Sequence, residues 1–140
     1  MVNCRFTVAI HVLCLLAAQR PKALTSEFIA GSVNTNPVVI RRILATLRKA
    51  GWVKSQPGVS GGWELLAKPS DISLADVYRL IRPGTVFALH SKRPNPLCPV
   101  GRNIQQGLFG HYRKAQAAME QALGQSTIAD VLEDVQAVEK

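Results

Sequence analysis

Cysteine is scarce in this 140-residue sequence, which contains only Cys4, Cys14 and Cys98. The number is odd and no two of them form a C-x-x-C pair, so we expect no disulfide framework. This usage is typical of a protein in a reducing compartment, and we expect a cytoplasmic location.

Long apolar runs are also absent. The stretch from Val8 to Ala18 is broken by His11, and it is too short to cross a bilayer. No cleavage motif follows it. We interpret this stretch as a buried helix and expect no membrane partner.

The residue constellations of an enzyme are missing too. The sequence has no paired carboxylates, no glycine loop that would cradle a phosphate and no zinc motif. Cys98 and His111 would stand about 20 Å apart along one predicted helix, too far to share a proton within one chain. We therefore expect no catalytic residues and no enzyme.

Acidic residues are few, with 9 Asp+Glu against 17 Lys+Arg and a formal net charge of +8. Residues 1–68 carry nine basic and two acidic side chains, whereas residues 69–140 carry eight and seven. A basic half of this kind favours a polyanion, and we expect double-stranded DNA as the partner. A basic surface that serves only solubility is the alternative.

Local signals predict a mainly α chain with a small β-hairpin. Apolar residues repeat at helical spacing over residues 4–19, and two short strands flank the turn PGVSGG at 57–62. Capping residues start four shorter helices, at Thr25, Asn36, Ser73 and Thr127. A short helix, a turn, a longer helix and a hairpin in this order predict a winged helix-turn-helix.

The third predicted helix has two different faces. Ile40, Ile43, Leu44 and Leu47 follow the spacing of a core face. The opposite face has small residues at its centre and basic residues around it, which suits a DNA major groove. A solvated charged face is the alternative. With the helix starts and the hairpin turn included, the predicted DNA-binding residues are Thr25, Asn36, Val38, Arg41, Arg42, Ala45, Arg48, Lys49, Lys54, Ser60 and Gly61.

Several stretches resemble a known family: "NTNPVVIRRILATLRKAGWVKS", "GVSGGWELLAKPSDISLADVYRLI" and "CPVGRNIQ". They are similar to the winged-helix regulators that include IscR, NsrR and CymR, the Rrf-two family, and most of all to its cluster-free, YwnA-like members. The resemblance implies a homodimeric transcription factor, usually a repressor, that binds a partly palindromic operator. It also implies a recognition helix at 36–50 and a wing at 53–66.

The domain organisation expected from this comparison has three parts. Residues 1–82 form the DNA-binding domain, 83–98 a connector, and 99–140 a dimerisation helix and a C-terminal helix. The long helix at about 99–123 carries an apolar or small stripe that we expect at a two-fold interface. The stripe consists of Val100, Ile104, Leu108, His111, Ala115, Met119 and Ala122. A stripe that packs back on its own domain is the alternative.

Two departures from the family prevent transfer of an operator sequence. The position of an acidic base-reading residue in relatives such as IscR is Arg41 here, and the wing has Gln56-Pro57 where those relatives tend to carry arginine. Because this fold also serves as an interaction module, a winged helix that binds protein instead of DNA is the second function to consider.

Cys98 lies between two prolines at the predicted start of the long helix. Cluster-binding relatives supply three closely spaced cysteines from this segment, and this chain has one, so we expect no iron–sulfur cluster and no other metal. As the N-cap, a Cys98 thiolate would meet backbone N–H groups and the positive helix end. A redox or thiol-metabolite sensor is one hypothesis, and a structural thiol is the other.

Overall fold

A computed structural model describes residues 4–82 and 86–139. The helices are α1 (Arg5–Gln19), α2 (Ser26–Val33), α3 (Pro37–Lys49), α4 (Leu74–Ile81), α5 (Pro99–Leu123) and α6 (Ile128–Glu139). The strands β1 (Val53–Gln56) and β2 (Gly62–Leu65) form an antiparallel hairpin, and a single 3-10 turn spans Pro69–Asp71. This architecture confirms the predicted winged helix with a long additional helix.

The helix starts follow the capping residues that the sequence indicated. The Thr25 hydroxyl accepts a hydrogen bond from the Phe28 N–H at 3.1 Å. Ser73 and Asp76 form a reciprocal capping box with two bonds of 3.0 Å. The hydrogen bond from the Ser73 N–H holds the pKa of Asp76 below its ordinary value. The Asp76 side chain is therefore ionised at neutral pH, and the capping box is lost only as acid protonates it.

Both α3 and α4 are followed by a residue in the left-handed backbone conformation. Gly51 follows α3 with a φ of +81°, as expected of a glycine that stops a helix. Arg82 ends α4 with a φ of +50°, and its N–H donates to the Tyr78 carbonyl. The stop signal expected at Pro83 and Gly84 lies outside the described residues.

Helix α1 is the centre of the core, because α4 and α6 pack on it together with α2 and β2. Ala9, Val12, Leu13 and Leu16 are almost fully buried. The sequence spacing predicts a core face of Phe6, Ile10, Leu13 and Ala17, with Ala9 and Leu16 beside them. Of these, Ala9, Leu13 and Leu16 are buried, whereas Phe6, Ile10 and Ala17 are only partly buried. The prediction is therefore correct in part, and the buried face is wider than expected because several elements cover the helix from different directions.

Cys14 joins α1 to α6, as its predicted core position implied. Its thiol is buried and lies 3.9 Å from the Ile128 carbonyl oxygen, to which it donates. Burial raises the pKa of this thiol to about 11, which keeps it protonated. Ile128 itself is fully buried, so α6 shares the core of the winged helix. The expected domain boundary at residue 99 stays a prediction.

The hairpin is fixed to the rest of the fold through Leu24. The strand register pairs Val53 with Leu65 and Lys54 with Glu64. Beyond this pairing, Leu24 and Trp63 exchange two backbone hydrogen bonds of 2.9 and 2.7 Å. Gly62 adopts a φ of +148°, and a Cβ at this position would lie 2.6 Å from the Leu24 carbonyl oxygen. Only glycine allows this close approach.

No helix in the described ranges 4–82 and 86–139 is long and apolar enough to cross a membrane.

Gly62→Ala is expected to lower the free energy of unfolding by about 1–3 kcal/mol, since the new methyl group meets the Leu24 carbonyl in a strained backbone conformation. Urea denaturation followed by circular dichroism measures this change. Gly31→Ala is the control, because Gly31 lies inside α2 with no atom near its added methyl group. It should stabilise the chain by about 0.5–1 kcal/mol, and equal effects of both substitutions would contradict the role of Gly62.

Candidate nucleic-acid interface

Helix α3 is divided into a buried face and an exposed face. Ile40, Ile43, Leu44 and Leu47 are at most 1% exposed. On the other side, Arg41, Arg42, Arg48 and Lys49 are exposed, Val38 is 46% exposed and Ala45 is half-buried. Burial of the aliphatic face therefore turns the predicted DNA-binding side chains of this helix toward solvent.

The N-terminus of α3 is closed by its own cap. The Asn36 side-chain oxygen accepts from the Val38 N–H at 2.8 Å, and the Asn36 carbonyl accepts from Val39 and Ile40. Pro37 has no N–H to offer. Asn36 is predicted to contact DNA, and because these contacts occupy the N–H groups of the first turn, only the positive helix dipole is left to attract a phosphate there.

Arg41 is held by an ion pair with the neighbouring helix. Its guanidinium donates to the Glu27 carboxylate of α2 at 2.7 Å, and both side chains are exposed. The Glu27 backbone N–H and the Arg41 guanidinium hold the pKa of Glu27 below its ordinary value. Because this carboxylate is ionised at neutral pH, the pair is intact there and is lost only as the pH falls through the lowered pKa.

The remaining basic side chains lie near the wing, residues 53–66. The Arg48 guanidinium of α3 lies 5.7 Å from the ring centre of Trp63 on β2, so this side chain connects α3 with the wing. Lys54 on β1 pairs with Glu64 on β2 at 3.3 Å. Gln56 donates to the same carboxylate at 3.1 Å. Lys54 is thus available to a phosphate only in competition with Glu64.

The tip of the wing is open to solvent. Ser60 is exposed, as expected of a side chain that contacts a DNA backbone, and Gly61 is half-buried within the turn. Val59 is the most exposed large apolar side chain among the described residues. Thr25 is exposed beside the Leu24–Trp63 contact that holds the wing, so the start of α2 and the wing are neighbours.

Four side chains of this surface were missed by sequence reasoning: Glu27, Glu64, Trp63 and Val59. Glu27 had been interpreted only as a first-turn residue of its helix. The two carboxylates are the only acidic residues in the first half of the chain, and each pairs with a basic residue that was predicted to bind DNA. The scarcity of acidic residues in this half of the sequence was the signal that could have identified Glu27 and Glu64.

The long helix α5 has the length and the start that were predicted. None of its side chains is fully buried within one chain. Of the predicted stripe, Ile104, Leu108 and Met119 are partly covered. The exposed members are Val100, His111, Ala115 and Ala122. His111, which was expected to be packed, is uncovered in the single chain.

Cys98 is the N-cap of α5. Its sulfur accepts from the Gly101 N–H at 3.5 Å, its carbonyl accepts from the Arg102 N–H at 2.7 Å, and the residue is exposed. The predicted N-cap position of Cys98 is confirmed.

Comparison with known proteins agrees with this architecture. A sequence profile of Rrf2, described as an iron-dependent transcriptional regulator, matches residues 2–134. The chain is 44% identical over 133 residues to YwnA of Bacillus subtilis (strain 168), which is named as an HTH-type transcriptional regulator. That match covers 94% of this chain and 97% of YwnA.

Two solved structures are also similar. A protein from Lactobacillus plantarum, described as a transcriptional regulator, superimposes with a TM-score of 0.79 at 31% identity, covering 95% of this chain and 90% of that one. IscR from T. potens gives a TM-score of 0.74 at 23% identity, covering 100% of this chain and 91% of that one. The likeness to IscR extends to the fold alone.

The iron dependence in the Rrf2 description requires a set of closely placed ligands. Among the described residues, no group of three His, Cys, Asp or Glu side chains could hold a metal ion. The sulfur of Cys14 is buried against α6, Cys4 precedes α1, and Cys98 lies at the start of α5. The residues that the structure describes therefore do not fit an iron site within one chain.

Proposed function

Since the chain belongs to the Rrf2 family of transcriptional regulators, we propose that it is a homodimeric repressor that reads a partly palindromic operator through α3 and the wing. The division of α3 into a fully buried aliphatic face and an exposed basic face carries this proposal. Exposed Arg42 and Lys49 lie on the side opposite the core, beside Val38 and Ala45, which are small enough for close approach to base edges.

Removal of the two adjacent arginines tests the reading face. Arg41→Ala/Arg42→Ala is expected to weaken operator binding about ten- to a hundredfold and to flatten its salt dependence, because up to two phosphate or base contacts are lost. Selection from a genomic DNA library supplies the operator, and fluorescence anisotropy at several salt concentrations measures the affinity. Lys114→Ala, which removes an exposed charge on α5, should have little effect.

Glu27→Gln acts in the opposite direction in the same assay. Release of Arg41 from its ion pair should raise affinity for DNA several-fold and steepen the salt dependence. Glu133→Gln is the matched control, since it makes the same change in net charge on exposed α6. If all four variants bind like the wild type, or if binding does not depend on salt, the assigned face is wrong and a protein-binding winged helix is favoured.

The dimer is supported by the packing of α5. This helix of 25 residues is roughly 37 Å long, and the winged helix leaves every one of its side chains at least partly accessible. A second copy on the stripe would cover Val100, Ala115 and Ala122. Two winged helices related by this contact would present their α3 helices to successive major grooves.

Ala115→Glu is expected to convert the dimer into monomers at micromolar concentration, because it buries a charge in the centre of the stripe. Analytical ultracentrifugation measures the change, and operator affinity should fall with it. Gln106→Glu introduces the same charge on the far side of α5 and should leave the dimer intact. A dimer that survives Ala115→Glu would exclude the stripe as the interface.

Cys98 is proposed as the site of redox regulation, without a resident iron–sulfur cluster. Its sulfur is exposed and accepts a backbone N–H at the start of the proposed dimer helix. Oxidation would replace this acceptor with a larger, polar group at the junction between the connector and α5. Such a change is suited to altering the relative positions of two winged helices.

Titration with hydrogen peroxide in a DNA-shift assay tests this role. Wild type is expected to lose operator affinity several-fold, while Cys98→Ser, whose hydroxyl still caps α5, should not respond. Cys4→Ser retains Cys98 and should respond like the wild type. The anaerobically purified protein should show no visible absorption band of an iron–sulfur cluster. An equal response of Cys98→Ser and wild type would end the sensor proposal.

A further inference from the structure

A large groove separates α4 and the connector from α5, on a part of the molecule that the proposed DNA contacts do not use. Its volume is about 990 Å³, within the range of sites for small organic molecules. Its floor includes Tyr78 of α4, whose hydroxyl accepts from the Gln116 amide of α5 at 2.9 Å. This bond ties the two helices together beneath the groove.

The walls of the groove are mainly aromatic. They include Phe87 from the connector and Phe109 and Tyr112 from α5. The rings of Phe87 and Tyr112 are stacked, with centres 4.9 Å apart and planes 16° from parallel. Phe87 is nevertheless 39% exposed and Phe109 58% exposed. Solvent-accessible rings, of which Phe87 and Tyr112 are stacked on each other, offer flat apolar surface to a flat ligand.

The rim of the groove is cationic. It carries Arg79, Arg82 and Arg113, against a single described carboxylate, Glu120. Arg79 is already paired with Asp76 and Glu120 at 3.2 and 3.7 Å. Neither Arg82 nor Arg113 has a salt-bridge partner within residues 4–82 and 86–139. The Arg82 Nε donates to the Arg79 carbonyl at 3.3 Å, and the Arg113 guanidinium lies 5.7 Å from the ring centre of Phe109. Neither contact neutralises the positive charge, so the two groups favour an anionic group on whatever fills the apolar cleft.

The groove and the proposed dimer stripe lie on different sides of α5. At about 100° per residue, Phe109 and Arg113 stand roughly 120–160° around the helix from Ala115, whereas Tyr112 stands only about 60° from it, at the border of the stripe. A second copy seated on the stripe would therefore leave Phe109 and Arg113 accessible.

We propose that this groove binds an organic anion with a flat apolar body, such as an aromatic carboxylate. The rings of Phe87, Phe109 and Tyr112 contact the body, and Arg82 and Arg113 bind the carboxylate. The further role of the ligand as an effector rests on the function proposed above. Helix α4 packs on α1 of the winged helix. A ligand held between α4 and α5 therefore affects how α5 is joined to the winged helix.

Calorimetric titration of the full chain with 1-naphthoate and with the neutral 1-naphthalenemethanol tests the site. Wild type is expected to bind one naphthoate per chain at least tenfold more tightly than the alcohol. Arg82→Gln/Arg113→Gln should remove this preference, whereas Arg102→Gln, outside the groove, should retain it. Ala117→Trp, which fills the groove from an exposed position, should abolish binding of both compounds.

Equal binding of acid and alcohol by the wild type would overturn the proposal, as would naphthoate binding that Ala117→Trp leaves unchanged. If wild type binds no naphthoate and Ala117→Trp dissociates the dimer, a second copy occupies the groove and the proposal is also wrong. Circular dichroism verifies the fold of each variant.

A separate arm measures operator affinity with and without 1-naphthoate. A change of at least threefold supports the effector role, and no change at saturating naphthoate overturns that role while the site itself stands. Calorimetry needs no DNA, so failure of operator binding does not affect the test of the groove.

Discussion

The burial of one aliphatic face of α3 is the constraint on which the proposed DNA-binding surface depends. Ile40, Ile43, Leu44 and Leu47 are sealed in the core, so the helix has one rotational setting about its axis. That setting determines which side chains reach solvent. Each leucine or isoleucine contributes roughly 1.5–3 kcal/mol through burial. An exposed ion pair such as Glu27–Arg41 contributes far less to stability. Core packing therefore sets the orientation of α3, and the surface contacts form around that orientation.

The rest of the chain has little core to pack against. Helix α6 returns to the winged helix and buries Ile128, whereas α5 packs on α4 along one side and buries no residue completely. A long helix that is covered on one side only has separate surfaces for separate purposes. The stripe and the groove are two such surfaces, and their angular separation follows from the period of the helix.

Local signals predicted the fold better than they predicted the site. Asn36, Ser73 and Thr127 cap helices as expected, because capping depends on residues within one turn of each other. The face of α1 was harder to predict, since several elements cover that helix. The pairing of Glu27 with Arg41 joins residues fourteen positions apart on two helices. Sequence periodicity within one helix carries no information about such a contact, nor about a groove whose walls come from three segments.

The double hydrogen bond between Leu24 and Trp63 has a mechanical consequence. Leu24 directly precedes the cap of α2, and Trp63 also lies under Arg48 of α3, so direct contacts join the wing to α2 and to the basic helix. Elements joined in this way that contact both a DNA groove and its flanking phosphates favour DNA of one groove width. DNA would then be selected by stiffness and shape as well as by base identity, at positions that no side chain touches.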